Sequence, residues 1–182
     1  MPKKKVISML EFLRTGSFGG LTVGADVADL RPTFGKPVYI KENDDFRGKY
    51  VYEDIEFFYN MESQKVYGII IFGFRDKDEL GNFPRENKKF RIDPWILRWQ
   101  SGLLNTRNAL NSENLTFQQL PSTPGEGYET FRLKSGVEII FTETPEWVDG
   151  KIVYLDPPKI VYESIIKTSS EFVTTSYDLQ FQ

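Results

Sequence analysis

The apolar and polar residues that predict most of the structure lie in the stretch KYVYEDIEFFYNMESQKVYGIIIFGF, residues 49–74. Side chains of a β-strand point to its two faces in turn, so Tyr50 and Tyr52 share one face. The acidic pair Glu53–Asp54 interrupts this alternation and predicts a tight turn, because Asp side chains bond nearby backbone N–H groups. Nearly every position from Val66 to Phe74 is apolar, which is typical of a central strand buried on both faces. The stretch therefore predicts an antiparallel meander of three strands.

A weaker copy of the first two strands occurs at residues 129–141, ETFRLKSGVEIIF, with a turn at Lys134-Ser135-Gly136. A region of helical character precedes each copy. This order predicts an α+β fold of two tandem halves, each combining helix with antiparallel sheet. We expect the halves to span residues 1–85 and 86–182, and they can share one continuous sheet within one compact body.

Four helices are predicted around these sheets, and the last is a short one that Thr106 would cap and that runs through Leu110. Helical spacing of apolar residues indicates a first helix over Lys5–Arg14. Thr22 is a favourable N-cap for a second helix that reaches Leu30. Pro32 is expected to end that helix, because proline disfavours helical geometry at the residue before it. Asp93–Pro94 predicts the start of a third helix, with Asp as N-cap and Pro at the first helical position.

Short apolar runs bounded by turn residues predict further strands. These strands lie at Val38–Ile40, Leu115–Leu120, Tyr128–Leu133, Val137–Thr142 and Ile160–Thr168. Val173–Phe181 alternates strictly and predicts another strand, which we expect to pair with Ile160–Thr168. Arg75–Lys89 is charged and predicts a linker between the halves, and Thr144–Gly150 is expected to be a loop.

The apolar pattern also predicts which side chains form the core. The expected core residues are Phe57, Ile69, Ile71, Ile139 and Phe141. Trp95 and Trp99 are four positions apart and would share one face of the third helix. These two residues and Trp147 are interpreted either as core aromatics or as contacts for a partner, since tryptophan is enriched at binding hot spots.

Composition narrows the class of protein. Of the 182 residues, 40% are hydrophobic and 27% are charged, which is ordinary for a soluble globular protein. The net charge of -3 argues against nucleic-acid binding driven by phosphate attraction and suits a basic partner. No long apolar run follows the basic residues near Met1, so we expect a cytoplasmic protein that does not bind membranes.

The sequence contains neither cysteine nor histidine. Thiolate catalysis, Ser-His-Asp catalysis and the commonest metal ligands are therefore excluded, and no catalytic residue, metal or cofactor is predicted. The glycine-rich stretch Gly16–Gly20 lacks the Gly-Lys-Ser/Thr sequence of a phosphate-binding loop and is interpreted as a turn. Asp76–Gly81 lacks the ligand spacing of a calcium loop.

The stretch Thr22–Tyr59 combines a helical region, Gly35-Lys36-Pro37 and the hairpin YEDIEFFY. It resembles the helix, Gly-x-Pro and hairpin pattern of bacterial inhibitor-like modules, the group that contains the β-lactamase inhibitor protein. The layout is also similar to bacterial proteins placed among the immunity proteins of toxin systems. The resemblance implies a tandem helix–sheet fold that binds a protein through a sheet face. Unlike the secreted inhibitor, this chain has no cysteine for disulfides, so no partner identity is carried over.

The leading hypothesis is a non-enzymatic binding protein, an inhibitor or immunity protein whose partner is a basic toxin domain. The resemblance nominates outward aromatic and acidic side chains of the meander as its contacts. The nominated residues are Tyr50, Tyr52, Glu53, Asp54, Glu56 and Tyr59. The acidic ones are equally interpretable as a solvated turn.

Two alternatives remain open. A small-ligand or assembly module would have an aromatic-lined pocket at Phe57, Ile69 and Ile71. A glycan hydrolase would need only two carboxyl groups, and Glu138, Glu143 and Glu146 lie near Trp147 in the sequence.

Overall fold

The computed structural model describes residues 4–43, 46–72, 89–97, 101–120, 128–143, 146–148, 151–153 and 160–169. Over these residues the protein has an α+β fold with few helices and a large antiparallel sheet, as predicted. The helices are α1 (Met9–Thr15), a short 3-10 helix (Val27–Asp29), α2 (Leu30–Phe34) and α3 (Leu103–Ser112). The strands are β1 (Lys5–Ser8), β2 (Tyr39–Glu42), β3 (Arg47–Tyr52), β4 (Ile55–Asn60), β5 (Lys65–Phe72), β6 (Phe90–Asp93), β7 (Phe117–Leu120), β8 (Tyr128–Leu133), β9 (Val137–Glu143), β10 (Glu146–Val148), β11 (Lys151–Val153) and β12 (Ile160–Thr168).

Eight strands form the main sheet, in the order β2-β3-β4-β5-β12-β9-β8-β7. The first four make one meander and the last four make a second, and the two meet where β5 pairs with β12. At this junction Ile71 lies opposite Ile165, and Ile165 in turn lies opposite Ile139 of β9. One continuous sheet therefore runs through both predicted halves, and β2 and β7 occupy equivalent positions at its two edges.

The main core lies on the sheet face that the helices cover. All five predicted core residues, from Phe57 to Phe141, are fully buried. Phe34 of α2 packs against Phe57 with ring centroids 4.8 Å apart, and Phe18 stacks on Phe34 at 5.7 Å. The core therefore joins strands of both meanders to the N-terminal helices.

The opposite sheet face carries a second, smaller cluster of buried side chains. Its members are Phe58, Tyr67, Ile70, Ile140 and Ile166. Successive residues of β5 point to opposite faces, so Ile69 and Ile71 enter the main core and Ile70 enters this second cluster. The prediction that the apolar run of β5 is buried on both faces is confirmed.

The predicted first helix is only partly correct. Lys5–Ser8 forms β1, which pairs in parallel with β6, and the helix begins at Met9. Ser8 is the N-cap, since its hydroxyl accepts from the Glu11 N–H at 3.3 Å. Val6 is exposed while Ile7 is buried, so this segment follows the period of a strand.

The expected role of Pro32 is wrong. Pro32 is the third residue of α2, and the Gly35 N–H donates to the Arg31 carbonyl across it at 2.9 Å. Proline is tolerated there because the first turn of a helix has no intrahelical acceptors for its N–H groups. Thr22 is not an N-cap either: its hydroxyl donates to the Val23 carbonyl.

The helix predicted at Asp93–Pro94 does not start there. The Asp93 side chain accepts from the Trp95 N–H at 3.1 Å, but it closes a turn after β6. Trp95 has a φ of 57°, outside the right-handed helical region, and its ring packs against the main core. The helix of this region, α3, begins at Leu103. Trp99 lies outside the described residues.

Most strands of the second half have the predicted positions, and β12 has the predicted bounds. The expected loop Thr144–Gly150 instead contains β10, which pairs with β11. Along Ser164–Lys167 both sides of β12 are occupied, by β5 and by β9. Along these four residues β12 therefore has no side left for the predicted pairing with Val173–Phe181. Residues 173–181 themselves, and all but the end of the Arg75–Lys89 linker, lie outside the described residues.

Candidate functional site

Exposed apolar side chains concentrate at one end of the sheet. Val38, which directly precedes β2, is 61% exposed, Tyr39 and Ile40 on β2 are 48% and 39% exposed, and Phe46 after the strand is 66% exposed. They make up most of the large exposed hydrophobic residues in the described part of the chain. We call these four residues the β2 edge patch. Tyr39 and Ile40 are successive strand residues and point to opposite faces, so apolar side chains are exposed on both faces along this edge. Large apolar side chains left exposed in one segment are a usual mark of an interaction site.

The backbone of β2 is also open on one side. Among the described strands, β2 has only β3 as a neighbour, with Ile40 opposite Tyr50 and Glu42 opposite Gly48. The hairpin closes with a bond of 2.9 Å from the Asn43 N–H to the Arg47 carbonyl. Alternate residues of an antiparallel pair bond to each other, so Ile40 and Glu42 direct their N–H and C=O groups away from β3.

The turn after β2 holds its aromatic residue in an unusual conformation. Phe46 has a φ of 62°, in the left-handed region that bulky side chains rarely adopt. The Phe46 carbonyl accepts from the Met61 N–H at 2.8 Å, which ties the turn to the end of β4. A strained residue with a solvent-facing apolar ring is a feature that accumulates at binding sites.

Two of the six predicted contact residues do not face outward. Tyr52 and Tyr59 are buried in the main core, so their expected outward orientation is wrong. The Tyr52 hydroxyl donates to the Gly35 carbonyl at 3.3 Å, and the Tyr59 hydroxyl donates to the Glu42 carboxylate at 2.8 Å. Both residues lie on the face of the meander that packs against the N-terminal helices.

Burial shifts the ionisation of both tyrosines. It raises the pKa of Tyr52 to about 12, with the neighbouring Tyr50 adding to the rise and Arg31 opposing it. Burial also raises the pKa of Tyr59, and the hydrogen bond to Glu42 raises it further. A phenolate would be desolvated in the core and would lose its donor proton, so both rings stay neutral at physiological pH.

The other four predicted residues lie at or near the sheet surface. Tyr50 is half-buried, with its ring edge-on to Tyr59 at 5.4 Å. Both carboxylate oxygens of Glu56 accept from Lys49 at 2.9 Å, so Glu56 already has a cationic partner. Glu53 is exposed and Asp54 is half-buried in the turn between β3 and β4. Their role in partner binding stays a prediction.

Tyr50, Tyr59 and Glu42 come together directly behind the β2 edge patch. Tyr50 lies opposite Ile40, and the Tyr59 hydroxyl holds the Glu42 side chain at the end of β2. Gly48 makes this arrangement possible, because a Cβ at that position would lie 2.4 Å from the Tyr59 ring. The predicted aromatic residues thus support the exposed edge from the core side.

The structure removes the main support for a ligand pocket at Phe57, Ile69 and Ile71, since all three are fully buried in the packed core. A cleft of about 330 Å³ lies elsewhere, beside Val23 and Lys65. Polar residues in its lining are Asn60, Ser63, Lys65, Tyr67 and Ser169, and Val23, Gly24 and Val66 complete it.

The residues suggested for glycan hydrolysis are not assembled into a described site. Glu138 binds Arg132 at 2.6 Å. The side chains of Glu143, Glu146 and Trp147 lie outside the described part of the structure. Within the described ranges, no group of three or more acidic side chains is placed to hold a metal ion.

Lys167 is the one lysine whose ionisation is clearly perturbed among the described residues. Burial lowers its pKa, while Glu138 acts in the opposite direction. Its Nζ donates to the Ser135 carbonyl, and the Ser135 hydroxyl donates to the Leu13 carbonyl at 2.7 Å. These bonds tie β12 and the β8–β9 turn to α1, so a structural role accounts for this lysine.

Sequence reasoning identified the strand at Val38–Ile40 but missed its exposure. A signal was present, because the first strand of a sequential meander commonly lies at a sheet edge, and Pro37 precedes it.

Over the described helices, none is long and apolar enough to cross a membrane. No protein-family model, curated protein or solved structure matches this chain.

Proposed function

We propose that this protein is a non-enzymatic protein-binding module that contacts its partner through the β2 edge patch. The observation that carries the proposal is that Val38, Tyr39, Ile40 and Phe46, on β2 and directly beside it, are solvent-exposed, while β2 has a neighbour on only one side among the described strands. Burial of such apolar surface against a partner is favourable, at about 25 cal/mol per Å² of apolar area before the costs of association.

An inhibitor or immunity protein is the more specific form of this proposal. It is supported by the resemblance of Thr22–Tyr59 to inhibitor-like modules and by the net charge of -3, which favours approach of a basic partner. A cytoplasmic location belongs to the same proposal. Of the residues first nominated, Tyr50 is the aromatic one that remains partly exposed beside the patch.

The direct test is capture of partners from the native host with matched surface variants. The first bait is the wild-type protein, and the second carries Tyr39→Ser and Phe46→Ser. A control bait carries Gln118→Ser and Leu120→Ser on β7, at the opposite edge. We expect the wild-type and β7 baits to recover the same protein and the β2 bait to lose it.

The captured protein must then bind the purified wild-type chain directly, measured by calorimetry. Equal affinity of the β2 variant and the wild type would overturn the proposed surface. Failure of all baits to retain any protein under gentle conditions would overturn the proposed function.

A further inference from the structure

The open edge of β2 specifies more than a hydrophobic contact. Resting on the proposed function, we propose that the partner supplies an extended segment that adds to β2 as an antiparallel strand. In this segment a basic residue lies opposite Glu42, an acidic residue opposite Lys41 and an apolar residue opposite Ile40. The segment therefore contains the pattern basic, acidic, apolar in its N-to-C direction.

The backbone supports strand addition. Ile40 and Glu42 point their N–H and C=O groups away from β3, which follows from the register of the β2–β3 pair. An added antiparallel strand would form a hydrogen-bonded pair with each of these residues. Main-chain bonds give affinity in this mode of recognition, and the alternating side chains give specificity.

The charges on β2 support the pattern. Across the ladder Lys41 lies opposite another cation, Lys49, whose Nζ is already bound to both oxygens of Glu56. The sheet therefore places no anion directly opposite Lys41, and an acidic residue on the incoming strand would provide one. Opposite charges paired across strands are stabilising and like charges are destabilising, by about 0.2–1 kcal/mol each.

Glu42 would be paired by a basic residue on the incoming strand. Its carboxylate accepts from the Tyr59 hydroxyl at 2.8 Å, a neutral donor, and on β3 it lies opposite Gly48, which has no side chain. The Tyr59 bond fixes the position of the carboxylate without neutralising it. A lysine or arginine on the incoming strand, opposite Glu42, would complete the pair.

A second copy of this chain fits the edge less well than a foreign segment. If Ile40 paired with Glu42 of a copy, the two Lys41 side chains would lie directly opposite each other. If Ile40 paired with Ile40 of a copy, Lys41 would face Tyr39 and Glu42 would face Val38. Neither register gives both charged residues an opposite charge.

The test uses two synthetic peptides of identical composition. One contains Lys-Asp-Val-Thr-Val between Gly-Ser flanks, and the other contains Asp-Lys-Val-Thr-Val. We expect the wild-type protein to bind the first peptide about tenfold more tightly, since two attractive cross-strand pairs replace two repulsive ones. Binding should also slow hydrogen exchange of the Ile40 and Glu42 amides.

A charge-reversal variant separates this recognition from simple hydrophobic adhesion. The double variant Lys41→Glu with Glu42→Lys should prefer the second peptide by a similar factor. Unchanged preference, or binding without protection of the two amides, would overturn the inference. The variant's far-ultraviolet circular dichroism and urea midpoint confirm that it is folded.

A backbone variant provides an independent check. Ile40→Pro removes the outward N–H, and proline is tolerated on edge strands when that N–H faces solvent. It should weaken peptide binding at least tenfold, whereas Ile40→Ala, which keeps the N–H, should weaken it less. Equal weakening by both would count against strand addition. If Ile40→Pro is unfolded, the charge-reversal pair decides the question alone.

The inference and the proposed function can fail separately. Capture that depends on the β2 edge patch, without discrimination between the peptides, would refute strand addition and leave the binding function standing. A wild-type dimer in sedimentation equilibrium that Ile40→Pro abolishes would refute the foreign segment in favour of a second copy. Failure of every bait to capture a protein would refute the proposed function itself.

Discussion

The two edge strands of the sheet, β2 and β7, occupy equivalent places in the two meanders, but their side chains differ in packing and exposure. On β7, Phe117 packs on Phe131 with centroids 4.6 Å apart. Gln119 accepts from Arg107 of α3 at 2.5 Å and donates to Glu129 at 2.8 Å. On β2, the apolar side chains are left exposed.

Both strands have a neighbour on only one side among the described strands, so this difference shows that a strand at the sheet edge need not expose apolar side chains. The helix α3 ties the β7 edge to the body of the protein, and the Arg107 guanidinium also lies over the Phe131 ring at 5.6 Å. Natural proteins usually blunt sheet edges, because unpaired strands invite association. The β2 edge is only four residues long and follows Pro37, but its apolar side chains remain exposed.

The largest effect is expected at the junction that joins the two edges. Ile69→Ala removes a fully buried side chain from β5 and should lower the free energy of unfolding by about 2–5 kcal/mol. Urea denaturation followed by circular dichroism measures it, with Ile40→Ala at the exposed edge as the control, expected within about 0.5 kcal/mol of wild type. A loss under about 0.5 kcal/mol for Ile69→Ala would mean that the junction is not packed as described.

The packing of the Tyr59 ring and its hydrogen bond to Glu42 of β2 are expected to depend on Gly48. Gly48→Ala places a Cβ 2.4 Å from the Tyr59 ring, so the ring must move and the bond to Glu42 is lost. We expect a loss of about 1–3 kcal/mol in the free energy of unfolding. Gly68→Ala is the matched control, because its Cβ would meet its nearest neighbour at an ordinary 3.6 Å. Equal effects of the two substitutions would contradict this close approach.

Stability should fall at alkaline pH because of the tyrosines on the β2 side. Tyrosine titrates near 10 in an unfolded chain, whereas burial raises the pKa of Tyr52 to about 12 and raises that of Tyr59 as well. The folded state therefore retains protons that the unfolded state loses. This contribution is complete below pH 10 and is lost as the pH rises further, by up to about 1.4 kcal/mol per pH unit for each tyrosine.

Urea midpoints measured between pH 9 and pH 12 test this dependence, a range set by the reference and raised values for tyrosine. Tyr59→Phe should be less sensitive to pH than wild type, because one of the two raised groups is absent. Tyr39→Phe is the control, since Tyr39 is exposed on β2. If the urea midpoint fell equally steeply with pH in wild type and in Tyr59→Phe, Tyr59 would not be protected from ionisation.

The smallest effect is expected at the contact between α3 and β7. Arg107→Ala removes the bond to Gln119 and should cost about 0.5–1.5 kcal/mol of stability. Arg14→Ala is a control that breaks a more exposed pair with Glu113 and should cost less than about 1 kcal/mol. If Arg107→Ala leaves both stability and solubility unchanged, the tie from α3 does not distinguish the two edges.

Much of the sheet could be predicted from the sequence because its strands repeat with a period of two. The meander of β3, β4 and β5 and the strand β12 follow from that period and from the turns between them. The position of β1 could not be predicted, since Lys5–Ser8 becomes a strand only by pairing with Phe90–Asp93, far along the chain. Local propensity carries no information on such pairings.

The candidate site shows the same limit. Alternation places Tyr50, Tyr52 and Tyr59 on defined faces, but it does not say which face the helices cover. The prediction therefore placed these residues on the correct strands, but the outward orientation that it gave Tyr52 and Tyr59 is wrong. The exposure of Ile40 depends on the absence of a described strand beyond β2, which becomes visible only when the strand order is known.

The central place of β12 has a consequence for synthesis of the protein on the ribosome. β5 is made early, but its neighbour β12 emerges only after β6 to β11 and α3 have been translated. Until then one side of Val66–Phe72 has no strand to pair with, and this uncharged, β-branched segment resembles those that aggregate. Such non-local pairing also forms slowly. Nascent chains that stall before Ile160 should therefore depend on chaperones more than the finished protein does.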